Sequence, residues 1–487
     1  LLGSALASTF LATGCVQPLG SGFHFPSRRT EIRAAADSPY KLHVRVVDRL
    51  ENAGNRELES LEVRLPESPI FGSQNLRVFV DGKEITPERG SVLDRRMMRA
   101  AFDPIWKQKQ TREVITEWDL VPDSAARGSV AIFPLGFYVA DETVLPLWQT
   151  PPGLFSVGEA NPQREVLTVI APSDFRVLAP GKLRKSRKIP AGNFVQREFQ
   201  IRPDRDFLPY VVAGRYQEQV VKERQGDISF WTFRPLDSQA TNTAAARLAS
   251  SMSALSDFFG PPSKGKMEIH VVESPGELLS QFSAADEPSP DGRPANPLPG
   301  GTSFPNGVLL NARAIAQGVA DETVLQLAEY ELTRTWFGWR VRPTPEAQIL
   351  MGRGVGLFGL VVAAEARGPQ QRRNMIASLL KRYDAARAVA PDQRLMVPPF
   401  GYSRAERISS GYRAALFLVD LEDLCGHNNL RSAFREIIHA RTGVETSYED
   451  LRSAVESASK RNLAELFREW LIRPGVPEEF RNRYATP

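Results

Sequence analysis

From Tyr40 to about Tyr216 the apolar residues recur at every second position. Leu42, Val44 and Val46 alternate with polar neighbours, as do Leu61, Val63 and Leu65, and again Leu76, Val78 and Val80. A period of two lays one face of an extended chain on a core and leaves the other to solvent. Asp81-Gly82 closes the third run with a tight-turn pair. Val130–Phe133, Val166–Ile170, Phe194–Ile201 and Tyr210–Ala213 continue the pattern, with turn residues between them. The spacing predicts a largely antiparallel β domain over residues 39–218.

Near residue 220 the period changes. A strand at Ile228–Phe233 precedes Leu248, Met252, Leu255 and Phe259, which repeat at helical spacing up to the stop signal Gly260-Pro261-Pro262. Met267–Val272 and Val308–Leu310 read as strands. Residues 284–307, rich in Pro, Gly, Ser and Asp, read as a long loop. Helical spacing then runs to about Leu471, and Thr446-Ser447 ahead of Glu449-Asp450 marks a capped helix start. The fold class is therefore α+β: an N-terminal antiparallel β domain, then a mostly α-helical domain over 219–487 with a small sheet at its start.

Composition narrows the function. The 487 residues carry 61 Lys+Arg against 57 Asp+Glu, a net charge of +4, too weak a field for nucleic-acid binding to be the main role. No run of about 18 apolar residues suggests a membrane span. Cys15 and Cys425 are the two cysteines, so no disulfide framework is expected. Residues 1–15 form a small, apolar stretch of signal-peptide character, and Leu11-Ala12-Thr13-Gly14-Cys15 looks like a bacterial lipobox. The expectation is export to the periplasm or cell envelope, with a lipidated Cys15 as membrane tether; a chance cysteine in a frayed terminus is the alternative. Residues 16–38 read as a linker. Lys182-Leu183-Arg184-Lys185-Ser186-Arg187-Lys188 reads as a solvated hairpin tip, an anionic-lipid contact being relevant only alongside a lipid anchor.

The informative motif is Tyr330-Glu331-Leu332-Thr333-Arg334-Thr335-Trp336-Phe337-Gly338. It resembles the H-E-L-x-H-x-W-F-G signature of the aminopeptidase N type gluzincin metallopeptidases, matching at Glu331, Leu332, Trp336, Phe337 and Gly338. The family's third zinc ligand, a glutamate nineteen residues beyond the second histidine, falls on Arg353 within Gly352-Arg353-Gly354. Arg413-Ala414-Ala415 with Leu418 and Leu421 looks like the family's Y-x-K-G-A helix. Leu463, Phe467, Trp470-Leu471 and Pro474-Gly475-x-Pro477 look like its C-terminal pattern. The resemblance implies a β-saddle domain followed by a thermolysin-like domain.

The substitutions within that resemblance change the chemistry. Zinc needs a lone pair from imidazole, thiolate or carboxylate, whereas the guanidinium groups of Arg334 and Arg353 are donor-only. Tyr330 alone, beside two cations, does not hold a divalent ion. The resemblance thus implies a zinc site whose ligands are lost, with no cofactor and no metal. Glu331 stands where the family keeps its general base, and pairing with Arg334 or Arg353 is its expected role. The family's G-x-M-E-N strand has as its nearest counterpart Gly300-Gly301-Thr302-Ser303-Phe304, without the glutamate. Its oxyanion tyrosine aligns with Gly411, and Tyr412, one place on, reads as packing. His24, His43, His270, His427 and His439 show no ligand-like spacing, and Cys425 reads as inert core.

The leading expectation is a catalytically inactive peptidase homologue. Its former zinc site, lined by Tyr330, Arg334 and Arg353, either holds an anionic group of a peptide or protein partner or is neutralised by Glu331. An active zinc aminopeptidase using Glu331 as base is the alternative. A purely structural envelope protein with a filled cleft is a third reading.

Overall fold

The computed structural model describes residues 24–35, 41–54, 57–64, 71–89, 97–122, 130–140, 147–149, 162–190, 192–201, 210–262, 267–276, 278, 300–397, 402–442 and 445–484. Cys15, Tyr40, Leu65 and the Pro/Gly-rich stretch up to residue 299 lie outside them.

The β half is built on an eight-stranded sheet. Its order is Lys182–Ile189, Phe194–Ile201, Arg164–Pro172, His24–Ala34, Leu42–Glu51, Thr111–Pro122, Phe71–Val80 and Lys83–Ile85. Neighbours are antiparallel, except that His24–Ala34 runs parallel to Arg164–Pro172. Leu42, Val44, Val46, Asp48 and Leu50 all point into the core, as their alternation requires. Among the described residues, two four-stranded sheets also belong to this half.

Two expectations are corrected here. Residues 16–38 are not a linker throughout, because His24–Ala34 is an interior strand of the large sheet. Its hydrophobic alternation is hidden by Arg28 and Thr30, which are polar yet buried. Arg28 is tolerated there because its guanidinium forks onto Asp48 on the next strand, Nε to Oδ1 at 2.8 Å and Nη2 to Oδ2 at 2.9 Å. The basic run is likewise no hairpin tip: Lys182–Ile189 is an exposed edge strand paired with Phe194–Ile201. Lysines along an edge discourage pairing with another chain.

The second half opens with a five-stranded sheet in the order Gln217–Lys222, Gly226–Thr232, Met267–Glu273, Gly307–Leu310 and Gly301–Phe304. The last strand occupies the end of the expected 284–307 loop. Among the described residues, ten α-helices follow or pack on it: α1 (Ser238–Phe259), α2 (Ala312–Gln317), α3 (Glu322–Thr333), α4 (Val355–Glu365), α5 (Pro369–Val389), α6 (Arg404–Cys425), α7 (His427–Arg441), α8 (Tyr448–Ser459), α9 (Ala464–Ile472) and α10 (Glu478–Tyr484). The capped start at Ser447 forms, with its hydroxyl accepting from the Asp450 backbone N–H. One core joins the sheet, α1, α3, α4 and α6. The stretch Pro345–Glu365 is long and apolar enough to cross a membrane by composition, yet 83% of its most apolar window is buried inside the protein, as expected of a core helix.

Helices α3 and α4 lie close because α4 carries glycines where they meet. A Cβ at Gly359 would stand 2.1 Å from Thr333 Oγ1, and one at Gly356 2.7 Å from Tyr330 Cε2. An aromatic patch seals the two halves together: Tyr138, Tyr210 and Tyr216 pack with Trp231, Phe304 and Trp339.

Asp48, Arg28 and Glu165 are cross-strand neighbours on three adjacent strands. Burial pushes the Glu165 carboxyl up from 4.5 to about 7, with Arg28 opposing and Asp48 adding to the rise. An acid whose folded pKa is raised binds its proton more tightly when folded. Its favourable contribution is full below pH 4.5 and is lost as pH climbs to about 7. That amounts to about 3 kcal/mol at ~1.4 kcal/mol per pH unit. The Glu165→Gln variant should therefore flatten the fall in urea-unfolding free energy across this window. A slope matching wild type would refute the assignment.

Candidate functional site

Helix α3 presents the centre. Asp321 caps its start through hydrogen bonds from the Thr323 and Val324 N–H groups. Every residue from Val324 to Thr333 is buried, so Glu331 enters the interior with no path to water. Arg334 follows as the C-cap residue, one turn from Tyr330. Its guanidinium turns back so that Nη1 donates to Glu331 Oε2 at 3.0 Å. The second oxygen, Oε1, is sealed from solvent without a well-aligned donor. The Ser303 hydroxyl acts on the same carboxylate from a looser position.

The electrostatics follow from burial. Loss of water pushes the Glu331 carboxyl above the usual range, while Arg334, Arg353 and Ser303 pull it back. Burial also raises the Tyr330 phenol, against the pull of both arginines, so that ring stays protonated and offers no phenolate. For Arg334 burial disfavours the charge, but Glu331, Tyr330 and Tyr138 outweigh it and hold the guanidinium above its ordinary value. The Arg334 side chain keeps 31% of its surface exposed, against 0% for Glu331. Part of the guanidinium side chain therefore stays in contact with solvent.

Arg353 lies in the π-helical turn Gln348–Gly354 that leads into α4. Its stem crosses α6 at Gly411, where a Cβ would come within 2.4 Å of Arg353 Cδ. The position that aligns with the family's tyrosine is thus a glycine that makes room for this arginine. Tyr412 is 1% exposed; burial raises its phenol, with Arg382 and Arg353 opposing. It belongs to the polar cluster as well as to the packing expected of it.

The structure brings Tyr330, Glu331, Arg334 and Arg353 together. Three further participants were not visible in the motif. Ser303 arrives on the edge strand Gly301–Phe304 and is held by the Trp339 indole N–H donating to its hydroxyl at 3.0 Å. Tyr138 comes from the β half, and Arg382 from α5. In the sequence, the segment Gly300-Gly301-Thr302-Ser303-Phe304 is marked only by its missing glutamate. No local spacing ties residue 138 or 382 to residue 331. Of the remaining histidines, His270 is packed, with Nδ1 2.6 Å from Ser229 Oγ and its pKa lowered to about 4 by burial. Cys425 is buried as expected.

These residues do not fit a zinc ion. The positions that would supply two imidazoles and a carboxylate carry one protonated phenol, a poor metal ligand, and two guanidinium groups with no lone pair to give. No step is derived through a metal at this place.

No family model matches the chain, and no curated protein matches it by sequence. Solved structures match over almost the whole length. An M1 zinc metallopeptidase from Deinococcus radiodurans aligns with a TM-score of 0.65 at 15% identity, covering 94% of this chain and 95% of that one. A Glu-to-Ala variant of an M1 zinc metallopeptidase from the same organism, bound to a Tyr-Ser-Ala substrate, gives 0.65 at 14%, again covering 94% and 95%. Legionella pneumophila aminopeptidase A, in complex with aspartic acid, gives 0.61 at 13%, covering 94% of this chain and 50% of that protein. The fold is that of the M1 zinc metallopeptidases, a β domain followed by a helical peptidase-type domain.

The Glu331–Arg334 pair makes a stability prediction. Removing one partner of a buried pair strands the other charge. Arg334→Met should cost about 2–4 kcal/mol in urea unfolding, below the full buried-pair figure because part of Arg334 is exposed. The double variant Glu331→Gln/Arg334→Met should recover much of that loss. Additive losses would show that the two groups are not coupled.

Proposed function

We propose that this chain is a catalytically inactive, peptide-binding protein on the M1 peptidase fold. The observation that carries the reading is the contact between Arg334 and Glu331: the carboxylate at the family's base position is tied to a guanidinium. Without a metal-bound water, that carboxylate has no nucleophile to generate. The replacement is coherent, since Gly411 clears space for Arg353 and the raised Arg334 stays charged.

The same chemistry suits binding. Arg334 donates one N–H to Glu331 and keeps part of its side chain exposed, and Arg353 adds a second positive charge beside it. A free carboxylate, at a peptide C-terminus or on an acidic side chain, matches such a pair through charge-assisted hydrogen bonds. In this reading the protein is exported and held at a membrane surface of the cell envelope by an acyl group on Cys15, and it presents the cleft to peptide or protein partners.

Two measurements test the proposal together. The full chain, incubated with zinc and a panel of aminoacyl and peptide substrates, should release no product. Calorimetric titration with acidic or free-carboxylate peptides should give heat, weakened about tenfold or more in Arg353→Ala, the scale of one lost charge-assisted contact. Turnover would overturn the inactive reading. Absent heat, or unchanged affinity in Arg353→Ala, would overturn the carboxylate site.

A further inference from the structure

The α4–α6–α7 corner holds a donor set that the cleft lacks. Glu365 is the last residue of α4, Glu422 sits in the last turn of α6, and His427 is the first residue of α7. Gly426, with φ of 86°, makes the sharp turn between α6 and α7 that folds His427 back over Glu422. There His427 Nδ1 lies 2.8 Å from Glu422 Oε1 and 3.8 Å from Glu365 Oε2, and the three donor atoms lie within 4.8 Å of one another. Donors on a tetrahedral zinc ion, with bonds of about 2.0–2.1 Å, stand roughly 3.3 Å apart. The two measured separations straddle that value.

We propose that Glu365, Glu422 and His427 form a binding site for one divalent transition ion of the zinc class. Two independent features point the same way. Glu365 Oε2 is shielded from water and accepts no hydrogen bond; Arg372 Nε stands 3.7 Å away and His427 Nδ1 3.8 Å. The groups are also held in place from behind. Arg372 Nη2 donates to Glu422 Oε2 at 2.8 Å, leaving Oε1 toward the imidazole, and the Phe258 ring packs edge-on to that imidazole at 5.2 Å. Outer-shell contacts of this kind orient metal ligands.

The charge permits it. Glu365, Glu422 and the adjacent Asp423 face Arg372, and Arg431 acts on His427 from its own helix, so three carboxylates stand against two guanidinium groups. An imidazole with two carboxylates suits zinc, cobalt or nickel better than magnesium or calcium, which prefer all-oxygen shells. His427 keeps 42% of its side chain exposed, so an ion has a way in and a coordination position is left for water.

This site is separate from the cleft proposed for peptides. Arg353 lies just before α4 and Glu365 at its far end, and eleven helical residues span about 16 Å. The test is titration of the chelator-stripped full chain with zinc chloride near neutral pH, with cobalt chloride and visible absorption as a second probe. One equivalent should bind. His427→Ala should abolish binding, and Glu365→Gln, at a half-exposed position that leaves the fold intact, should weaken it about tenfold or more. Glu331→Gln should bind as wild type does. No binding, or binding unchanged in both His427→Ala and Glu365→Gln, overturns the proposal. Binding lost in Glu331→Gln but kept in His427→Ala places the ion in the cleft and overturns this proposal and the inactive reading alike. Loss of the carboxylate-peptide heat alone would leave this site standing.

Discussion

A carboxylate buried on all sides must find a positive partner, and Glu331 is such a group. It sits on a helix whose last ten residues are all interior, so no rotamer carries it to water. In the family that the motif resembles, a divalent metal supplies the compensating charge. Here a guanidinium one turn further along the same helix does so. The exchange keeps the electrostatics tolerable but inverts the chemistry. A zinc ion accepts lone pairs and activates water, whereas guanidinium only donates hydrogen bonds. On the proposed reading, the centre is a donor surface where the family keeps a Lewis acid.

That change is carried through the packing around it. The close approach of α3 and α4 depends on Gly356 and Gly359, which leave space for the Tyr330 ring and the Thr333 side chain. Thr333 in turn bonds back to the Glu329 carbonyl at 2.8 Å, and the Glu329 carboxylate gathers Arg247, Arg367 and Ser251. One face of α3 is therefore fixed by a fully paired ion cluster, and the other by the Glu331–Arg334 contact. Gly411 on α6 completes the arrangement, because any side chain there would collide with Arg353. The cleft's new charges thus have space and partners in the surrounding helices.

The fold was largely legible because its elements announce their periods. The alternation of Leu42–Glu51, the helical spacing of α1 and the capped start at Ser447 all rest on local rules. The His24–Ala34 strand was missed for a physical reason: Arg28 occupies a core position, and the Asp48 that justifies it lies twenty residues away. The edge strand Lys182–Ile189 was missed because neither of its faces is buried. In the site, Tyr330, Glu331, Arg334 and Arg353 could be named from one motif and one spacing. Ser303, Tyr138 and Arg382 could not, since each reaches the centre through tertiary packing. Tyr138 in particular arrives across the aromatic seam between the two halves, so the β half contributes to the cleft.

The position of any metal, rather than its presence, decides what it could do. Hydrolysis of the gluzincin kind needs the ion, the attacking water and the base within hydrogen-bond reach of one another. Glu331 is the base position, and the Glu365–Glu422–His427 corner lies a helix length of about 16 Å from the start of α4. Water on an ion at that corner has no contact with Glu331, and the base it would meet is its own ligand set. Arg334 and Arg353 meanwhile repel a divalent ion from the place where Glu331 could use one. A chain with one firmly held zinc at that corner would therefore be consistent with an inactive cleft, because the proposed metal site and the Glu331 position lie near opposite ends of α4.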